Sequence, residues 1–455
     1  MSAGRADSAL LAVNKEMINI EELYSLYKKC TGISTDSRSV GEGAMFFALK
    51  GDKFDGNDYA VNALKSGARY AIVDRVSLEG SGFKNRKCIV VENVLESLNQ
   101  LAALHRRQYD IPVIGITGTN GKTTTKELIA AVLKTKYNVL STKANFNNQI
   151  GVPLTLMGMD ERTEVAVVEM GASAPGEIAS LVKVVNPTHG LITSVGKAHL
   201  QGFGSFEGVK MAKGELYDYL RQTGGLVLYN ADNEHLTSMV SHRPGLRTNR
   251  YGVKLSGSRI LPSSPDKPFL SLSVNHDGGE TQVNTKLVGT YNVDNVMAAL
   301  AVAAVFEVPF KTAVKAIEDF NPSNNRSQLL RTQKNTLIID AYNANPSSMT
   351  AALDNFAAME FGNKTLILGD MLELGEESAA EHSAILQKAS AITDSIYLVG
   401  EEFGRAAKAV RTNKVRCFST VEDLRVYLGE NPLAEQTILI KGSNGIHLQS
   451  LPEIL

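Results

Sequence analysis

The segment from Ile111 to Leu133, IPVIGITGTNGKTTTKELIAAVL, constrains the fold more than any other part of the sequence. An apolar run typical of a buried parallel strand enters a turn that contains Gly118 and Gly121, and a helical pattern follows. In such a unit the backbone N–H groups of the turn can surround the oxygens of a polyphosphate. The pattern is GxxGKT, whereas the usual phosphate loop has four residues between its first glycine and the GK pair. We therefore predict a variant phosphate-binding loop; the alternative is a glycine-rich turn with a solvated lysine.

The rest of the chain alternates apolar strands with helices, which predicts an α/β fold. The strands EVAVVEM, HGLITSV and GGLVLYN follow the loop, and NTLIIDAY, KTLILGD, SIYLVG and QTILIKG follow a polar stretch at Asn321. Alternation of this kind indicates parallel sheets covered by helices on both faces. We predict three domains: a small mixed α/β N-terminal domain at 1–110, a central phosphate-loop, parallel-sheet domain at 111–321 and a C-terminal, doubly wound Rossmann-like domain at 322–455. Residues 1–16 are interpreted as a tail.

Composition excludes several classes of protein. Lys and Arg total 47 against 48 Asp and Glu, a net charge of -1, which argues against a general nucleic-acid coat. The three cysteines are far apart and form no CxxC pair, which is typical of a reduced cytosolic protein. No apolar run is long enough to span a membrane, and the N-terminus lacks the features of a signal peptide. We expect a cytoplasmic protein with neither a nucleic-acid nor a membrane partner.

Four further side chains are candidates for chemistry beside the loop. Glu169 ends the strand EVAVVEMG, at the sheet edge where open α/β sheets bind ligands, and would suit Mg²⁺; the alternative is a salt-bridged or capping glutamate. His199 follows the next strand and a tight turn, where a purely structural role is also open. Lys210 and Lys213 share one face of the following helix, for which the simplest interpretation is a solvated basic face.

Asparagines and aspartates stand at four more places. Those in NFNNQIGVP and GTYNVDNVMAA suit either turn formation and helix capping or ligand contacts, and those in DAYNANPSS and LGDMLELG follow strands of the last domain. The side chains concerned are Asn145, Asn147, Asn148, Tyr291, Asn292, Asn295, Asp340, Asn343, Asn345 and Asp370.

Taken together, these segments resemble the Mur ligase family. TGTNGKTT is similar to that family's nucleotide loop, and TDSR at 35–38, NFNNQIGVPL, VVEMGAS, AHLQGFGS, DAYNANPSSM, GDMLELG and IKGS follow in the family's order from about residue 18 to 447. TGTNGKTT alone is specific only to the wider superfamily. DAYNANPSSM with GDMLELG resembles the branch that adds D-alanyl-D-alanine.

The resemblance implies an activity and its cofactors. It implies an ATP-dependent, ADP-forming amide ligase that joins D-alanyl-D-alanine to UDP-MurNAc-tripeptide through an acyl phosphate, for peptidoglycan synthesis. Two Mg²⁺ ions, a carbamylated lysine and a monomeric state are implied as well. The three domains would bind the uridine nucleotide, bind ATP, and close over the site.

Roles for individual residues follow from the same resemblance. Lys122, Glu169, His199 and Lys213 would be catalytic, and Thr123, Glu169, His199 and carbamylated Lys213 would hold the metal ions. ATP would contact Gly118, Thr119, Asn120, Gly121, Lys122, Thr123, Thr124, Asn292, Asn295, Arg326 and Asp340. The uridine diphosphate would contact Ser37 and Arg38, the muramoyl-peptide Asn145 and Asn148, and the dipeptide Asn343 and Asn345.

The sequence departs from the family pattern twice and leaves other functions open. Asn325 precedes Arg326 where the family usually has glycine, and Asn444 stands where it usually has arginine. The alternatives are another ligase of the superfamily, MurE-like or folylpolyglutamate synthase-like, and a non-catalytic nucleotide-binding regulator. DAYNANPSS argues against the MurE-like function, and the N-terminal unit with TDSR argues against the folate function.

Overall fold

The computed structural model of the chain describes residues 18–75, 87–264, 266–322, 328–410 and 415–455. The predicted tail at 1–16, Asn325 and Arg326 lie outside these ranges. The described residues form two compact units, the first within Met1–Gln108 and Leu156–Gly158 and the second comprising Tyr109–Thr155 and Met159–Leu455. In the part of the chain that is described, no helix combines the length and the apolar character needed to cross a membrane.

The first unit contains a parallel four-stranded sheet in the order β1-β2-β5-β6. Its core is small and apolar, and it includes Phe46 and Ala71 of the sheet and Ala60 of helix α2. The elements are α1 (Ile20–Tyr27), β1 (Ile33–Ser34), β2 (Met45–Phe47), β3 (Lys50–Gly51), β4 (Phe54–Asp55), a 3₁₀ helix (Gly56–Tyr59), α2 (Ala60–Lys65), β5 (Tyr70–Val73), β6 (Cys88–Val90) and α3 (Val94–Arg106).

The second unit begins with a parallel six-stranded sheet in the order β12-β11-β10-β7-β9-β8. The chain leaves β7 towards β8 on one side and later continues to β10 on the other, so the carboxyl end of β7 lies where the strand order reverses. That is where open α/β sheets bind ligands. The elements are β7 (Val113–Thr117), α4 (Lys122–Leu133), β8 (Val139–Ser141), α5 (Gly151–Leu156), β9 (Val165–Glu169), α6 (Glu177–Val185), β10 (His189–Ile192), α7 (Leu200–Phe203), α8 (Phe206–Thr223), β11 (Leu226–Asn230), α9 (Glu234–Ser241) and β12 (Arg247–Tyr251).

A three-stranded antiparallel sheet, β13-β14-β15, follows and shares one apolar core with helices α4, α10 and α11. Because α10 is apolar on almost every side, it is buried nearly throughout, as its Ala- and Val-rich sequence predicts. The elements are β13 (Arg259–Leu261), β14 (Phe269–His276), β15 (Gly279–Val288), a 3₁₀ helix (Thr290–Asn292), α10 (Val293–Val305) and α11 (Phe310–Asp319).

The last part of the second unit is another six-stranded sheet, in the order β16-β17-β21-β18-β19-β20. Only its edge strand β16 is antiparallel to its neighbour. The four apolar strands predicted from the sequence are its four central strands. The elements are β16 (Gln328–Arg331), β17 (Thr336–Asp340), α12 (Pro346–Ala358), β18 (Lys364–Gly369), a 3₁₀ helix (Gly375–Glu377), α13 (Ser378–Ser390), β19 (Ile396–Val399), α14 (Glu401–Val410), β20 (Val415–Phe418), α15 (Val421–Glu430), β21 (Thr437–Lys441) and two 3₁₀ helices (Asn444–Ile446, Leu448–Glu453).

Candidate active site

The loop between β7 and α4 needs glycine at both of the positions noted in the sequence. Gly118 has φ +144° and Gly121 has φ +82°, both in the region that favours glycine. A Cβ atom on Gly118 would collide with the side chain of Thr193, and one on Gly121 with the side chain of Asn295. The loop is thus shaped by its own backbone and by close neighbours on both sides.

The segment after β10 holds this loop in place. The Thr193 hydroxyl donates to the carbonyl of Asn120 at 2.6 Å, and the Asn120 N–H donates to Ser194 Oγ at 3.0 Å. The Thr119 N–H donates to the Ser194 carbonyl at 2.8 Å. These bonds join the carboxyl ends of two neighbouring strands, which leaves the loop ordered before any ligand binds.

Lys122 is the first residue of α4 and lies over the loop. Its ammonium donates to the carbonyl oxygens of Gly118 at 2.7 Å and Thr119 at 3.0 Å. The positive charge is therefore already concentrated above the loop and at the amino end of a helix, both of which favour an anion.

Glu169 is buried and bound at both carboxylate oxygens. Thr123 Oγ1 donates to Oε2 at 2.8 Å, and Asn147 Nδ2 donates to Oε1 at 2.9 Å. Thr142 fixes the backbone, because its hydroxyl accepts from the Glu169 N–H at 3.0 Å. Glu169 is only 1% exposed and Thr123 2%. In these contacts the Glu169 carboxylate does not cap a helix. It is joined instead to Thr123 in the first turn of α4 and to Asn147.

The oxygen pair of Thr123 and Glu169 fits Mg²⁺, which takes hard oxygen donors and usually completes its coordination with phosphate oxygens and water. Among the described residues, no group of three or more His, Cys, Asp or Glu side chains forms a metal-binding cluster. These two oxygens therefore suit an ion that arrives with a bound polyphosphate rather than one held by protein ligands alone.

His199 occupies a left-handed backbone conformation, φ +49°, at the amino end of α7. Its Nδ1 lies against a carboxylate oxygen of Glu373, which itself has φ +65° and follows β18. Burial lowers the pKa of His199, an effect that Glu373 opposes and that the charges of Lys122 and Lys213 reinforce.

Lys213 does not lie on a solvated face. It is 2% exposed, donates to the Ala172 carbonyl at 3.1 Å, and has its ammonium 5.0 Å from the ring centre of Phe203. Its pKa is lowered to about 7, mainly by burial and then by the charge of Lys122, against the opposite influence of Glu177 and Glu215. A lysine in this state is a neutral amine for part of the population near neutral pH.

Lys210 does not lie on a fully solvated face either, since its side chain is 18% exposed. It forms an ion pair with Glu207 at 3.0 Å on the same helix. Helical spacing alone therefore did not predict how far either lysine is buried.

Asn292 and Asn295 form a buried chain of side-chain amides behind the loop. Asn295 Oδ1 accepts from the Thr125 hydroxyl at 2.9 Å, Asn295 Nδ2 donates to Asn292 Oδ1 at 2.9 Å, and Asn292 Nδ2 donates to the Val288 carbonyl at 2.8 Å. Their side chains thus brace the first turn of α4.

Asn148 has a capping role in another loop. Its Oδ1 accepts from the N–H groups of Ile150 and Gly151, at the start of α5.

The carboxyl edge of the last sheet carries a buried ion pair. Lys441 ends β21 and donates to Asp340 Oδ2 at 2.6 Å and to the carbonyl of Asn343 at 3.2 Å. The Asn343 side chain accepts from the N–H of Ala344 at 2.9 Å. The loop after β17 is therefore tied to the neighbouring strand β21.

Asn345 caps α12 and also reaches the nucleotide loop. Its Oδ1 accepts from the N–H of Ser348 at 2.9 Å in a capping box, and its Nδ2 donates to Asn120 Oδ1 at 2.8 Å. Nearby, the Lys197 ammonium pairs with Glu381 at 2.7 Å. The central and last sheets are thus linked by side-chain bonds at this edge.

One cavity of about 810 Å³ lies at these two sheet edges. Lys441, Glu373 and Asn147 line it as well as most of the residues predicted from the sequence. The predicted residues among its lining are Thr119, Asn120, Gly121, Lys122, Thr124, Asn145, Asn148, Glu169, His199, Asn292, Asn295, Asp340 and Asn343.

Comparison with known proteins identifies the family. Three family models match the chain: the Mur ligase family catalytic domain at 29–112, the Mur ligase middle domain at 116–303 and the Mur ligase glutamate ligase domain at 325–444. A UDP-N-acetylmuramoyl-tripeptide–D-alanyl-D-alanine ligase of Bacillus subtilis is 36% identical over 92% of each chain. The chain belongs to the Mur ligase family.

Other Mur ligases agree with this assignment. The enzyme of the same name from Escherichia coli is 32% identical over 93% of each chain. The crystal structure of MurF from Acinetobacter baumannii has a TM-score of 0.81 at 28% identity, covering 92% of each chain. MurF ligase from Thermotoga maritima, solved in complex with ADP, has the same fold, with a TM-score of 0.81 at 24% identity over 93% of this chain and 96% of its own.

Two of the residues that the Mur ligase resemblance assigned to the uridine nucleotide lie in the first unit. Ser37 is half-buried, and Arg38 is exposed and forms a bidentate bond with Asp36 at 2.9 and 2.8 Å. Arg326 lies outside the described residues. Asn444, at the position where the family usually has arginine, is exposed.

Several residues of this Mur ligase site were missed by sequence reasoning. Thr193, Ser194, Glu373 and Lys441 all follow or end apolar strands, the same signal that singled out Glu169, and a systematic search of strand ends finds them. Asp370 also follows a strand, but its carboxylate accepts from the N–H groups of the first residues of α14, Glu402 and Phe403.

Proposed function

We propose that this Mur ligase joins D-alanyl-D-alanine to UDP-MurNAc-tripeptide with cleavage of ATP to ADP and phosphate, making the UDP-MurNAc-pentapeptide precursor of peptidoglycan. The relatives that carry this name, at 30–36% identity, support the choice of substrates. The observation that carries it is the single cavity in which the nucleotide loop with Lys122 meets the DAYNANPSS segment after β17.

The reaction has two steps. A carboxylate oxygen of the tripeptide attacks the γ-phosphorus of ATP, the bond to the β-bridging oxygen breaks, and ADP leaves with an acyl phosphate formed. The amine of the dipeptide then adds to the acyl carbon, loses a proton, and the tetrahedral intermediate expels phosphate to leave an amide. Water must be excluded from the cavity during both steps, because an acyl phosphate hydrolyses readily.

The first step brings two anions together, and Lys122 is suited to offset their repulsion. Its ammonium lies over the loop whose N–H groups would hold the phosphates. Bound Mg²⁺ would supply further positive charge between the phosphate oxygens, and Thr123 and Glu169 are the oxygen donors suited to hold it. We assign the second ion to His199 and Lys213.

Lys213 fits this assignment only as a carbamate. An ammonium repels a cation, whereas a carbamate offers carboxylate-like oxygens. Carbon dioxide adds only to the neutral amine, and the lowered pKa of Lys213 supports a neutral fraction. Its burial would protect the product from water.

The remaining assignments are proposals that rest on the Mur ligase resemblance. Asn292, Asn295 and Asp340, with Arg326, would bind ATP; Asn145 and Asn148 would bind the muramoyl-peptide, and Asn343 and Asn345 the dipeptide. Ser37 and Arg38 would contact the uridine diphosphate. We further propose that the enzyme works as a cytoplasmic monomer, in keeping with its three free cysteines.

The test measures phosphate release from ATP with UDP-MurNAc-tripeptide or UDP-MurNAc-dipeptide as the acceptor and with D-alanyl-D-alanine or a free diamino acid as the amine. We expect release that requires D-alanyl-D-alanine and yields the pentapeptide by mass spectrometry. Release that depends instead on a free diamino acid, with UDP-MurNAc-dipeptide as acceptor, would show a MurE-like enzyme. Nucleotide binding without turnover under any of these conditions would show a regulator.

A further inference from the structure

Lys441 is a buried cation that none of the assignments above uses. It is 1% exposed and ends the central strand β21 of the last sheet, yet it lines the cavity. In the register of the sheet it pairs with Asp340 on the adjacent strand β17. The two residues are 101 positions apart in sequence and meet only because β17 and β21 are neighbours.

The ammonium of Lys441 makes two bonds that serve different parts of one loop. It donates to Asp340 Oδ2 at 2.6 Å, which fixes the carboxylate at the end of β17. It also donates to the Asn343 carbonyl at 3.2 Å, which fixes the backbone three residues later. Asn345 then anchors the far end of the loop by capping α12. The loop is held at its start, middle and end.

A buried ion pair of this kind is a weak source of stability, because removing both charges from water offsets most of their attraction. Its geometric effect is clearer, since a charge-assisted bond of 2.6 Å restricts the orientation of the carboxylate. Asp340 lines the cavity with its other oxygen not engaged by Lys441. The pair therefore sets where that oxygen points.

We infer that Lys441 is the positioning residue of the last domain, holding Asp340 for the nucleotide and the Asn343 loop for the incoming dipeptide. This rests on the proposed function for the identity of the two ligands. In this role Lys441 acts on the ligands through the two groups to which it donates.

The experiment is a double-mutant cycle on ADP affinity, measured by calorimetry with the full chain. Lys441→Met and Asp340→Asn should each weaken ADP binding about tenfold, the effect of losing one charge-assisted bond, and the double variant should be no weaker than either single one. If Lys441 and Asp340 act together on the nucleotide, each single variant should lose the same ADP affinity, and the two losses should not add in the double variant. A purely structural role would lower the melting temperature and leave ADP affinity unchanged in the folded protein.

The matched control is Lys388→Met, which breaks an ion pair with Asp354 at 2.5 Å on the same domain, outside the cavity lining. It should leave ADP affinity unchanged. If Lys441→Met does not fold, Lys441→Gln, which keeps one donor without the charge, and the double variant, which removes both buried charges, serve in its place.

Steady-state kinetics supply a second measurement. In Lys441→Gln the KM for ATP and for D-alanyl-D-alanine should both rise, with the KM for UDP-MurNAc-tripeptide unchanged. Unchanged ADP affinity in the Lys441 variants, or additive losses in the double variant, would overturn the inference. Because ADP affinity does not depend on which amine is ligated, a failure of the proposed function would instead appear in the amine requirement.

Discussion

The carboxyl edges of the central sheet and the last sheet face one cavity, but they fix their polar groups by different means. At the central edge, Lys122 and Thr123 follow a glycine-shaped turn and act within a few residues of it. At the last edge the segment after β17 contains no glycine, and Asp340 is oriented by Lys441 from another strand. The first arrangement is local in sequence, whereas the second depends on strand order.

This difference decides what a substitution does in each region. At the central edge a side chain can be removed while the loop keeps its shape, because Thr193 and Ser194 hold the backbone. At the last edge the loss of one side chain leaves its partner buried without a charge to match. We therefore expect large losses of activity with little loss of stability at the first edge, and coupled losses at the second.

Lys122→Ala should give the largest effect. Without the ammonium over the loop, the developing phosphate charge is not offset, and kcat/KM should fall about 10²- to 10³-fold. The melting temperature should change little. The control is Lys134→Ala at the carboxyl end of the same helix, where the side chain is exposed and activity should be kept. Unchanged product formation by Lys122→Ala would refute the assignment of the loop.

Lys213 gives a pH dependence whose direction follows from its pKa of about 7, below the ordinary 10.5. Since only the neutral amine forms a carbamate, the carbamylated fraction should fall about tenfold for each pH unit below 7. Carbon NMR with isotopically labelled bicarbonate should detect the carbamate at pH 8 and lose it in Lys213→Met. Lys210→Met, one turn earlier on α8, should keep the signal; a signal that persists in Lys213→Met would exclude this site.

The same pKa shift affects stability. Between about pH 7 and 10.5 the unfolded chain keeps the Lys213 proton that the folded chain has released, so the free energy of unfolding should rise with pH across this window. Lys213→Met should remove this contribution. Denaturant titrations at several pH values would measure it, and an identical slope in both proteins would contradict the shifted pKa.

Asn345→Ala should have the smallest effect, and it can be compared with Thr420→Ala. Both residues cap a helix of the last domain through a capping box, so each loss should lower the free energy of unfolding by about 1 kcal/mol. Only Asn345 also donates to Asn120 in the nucleotide loop. The KM for ATP should therefore rise severalfold in Asn345→Ala alone. Equal KM values in the two variants would show that the bond from Asn345 to Asn120 does not contribute to ATP binding.

The contrast between the two edges also explains how much the sequence could predict. The strand–turn–helix around Gly118, the apolar strands and the carboxylate Glu169 were recognisable because each depends on neighbouring residues. The edge strand β16 and the exposed strand β20 lack that apolar signal and were missed.

Long-range partners were out of reach for a physical reason. The bonds from Lys441 to Asp340 and from Asn345 to Asn120 depend on which elements pack together, and no local pattern encodes this. The burial of Lys213 depends likewise on Phe203 and Ala172, which belong to other elements than its own helix. Resemblance to the Mur ligases singled out Lys213, whereas helical spacing suggested a solvated face.

The most direct test of the central claim follows an oxygen atom. UDP-MurNAc-tripeptide with a heavy oxygen isotope in its terminal carboxylate is incubated with ATP and D-alanyl-D-alanine, and the released phosphate is analysed by mass spectrometry. We predict that each phosphate carries one oxygen from the tripeptide carboxylate and that its amount equals that of pentapeptide formed. Phosphate without the isotope, released at the same rate when the dipeptide is omitted, would contradict ligation through an acyl phosphate.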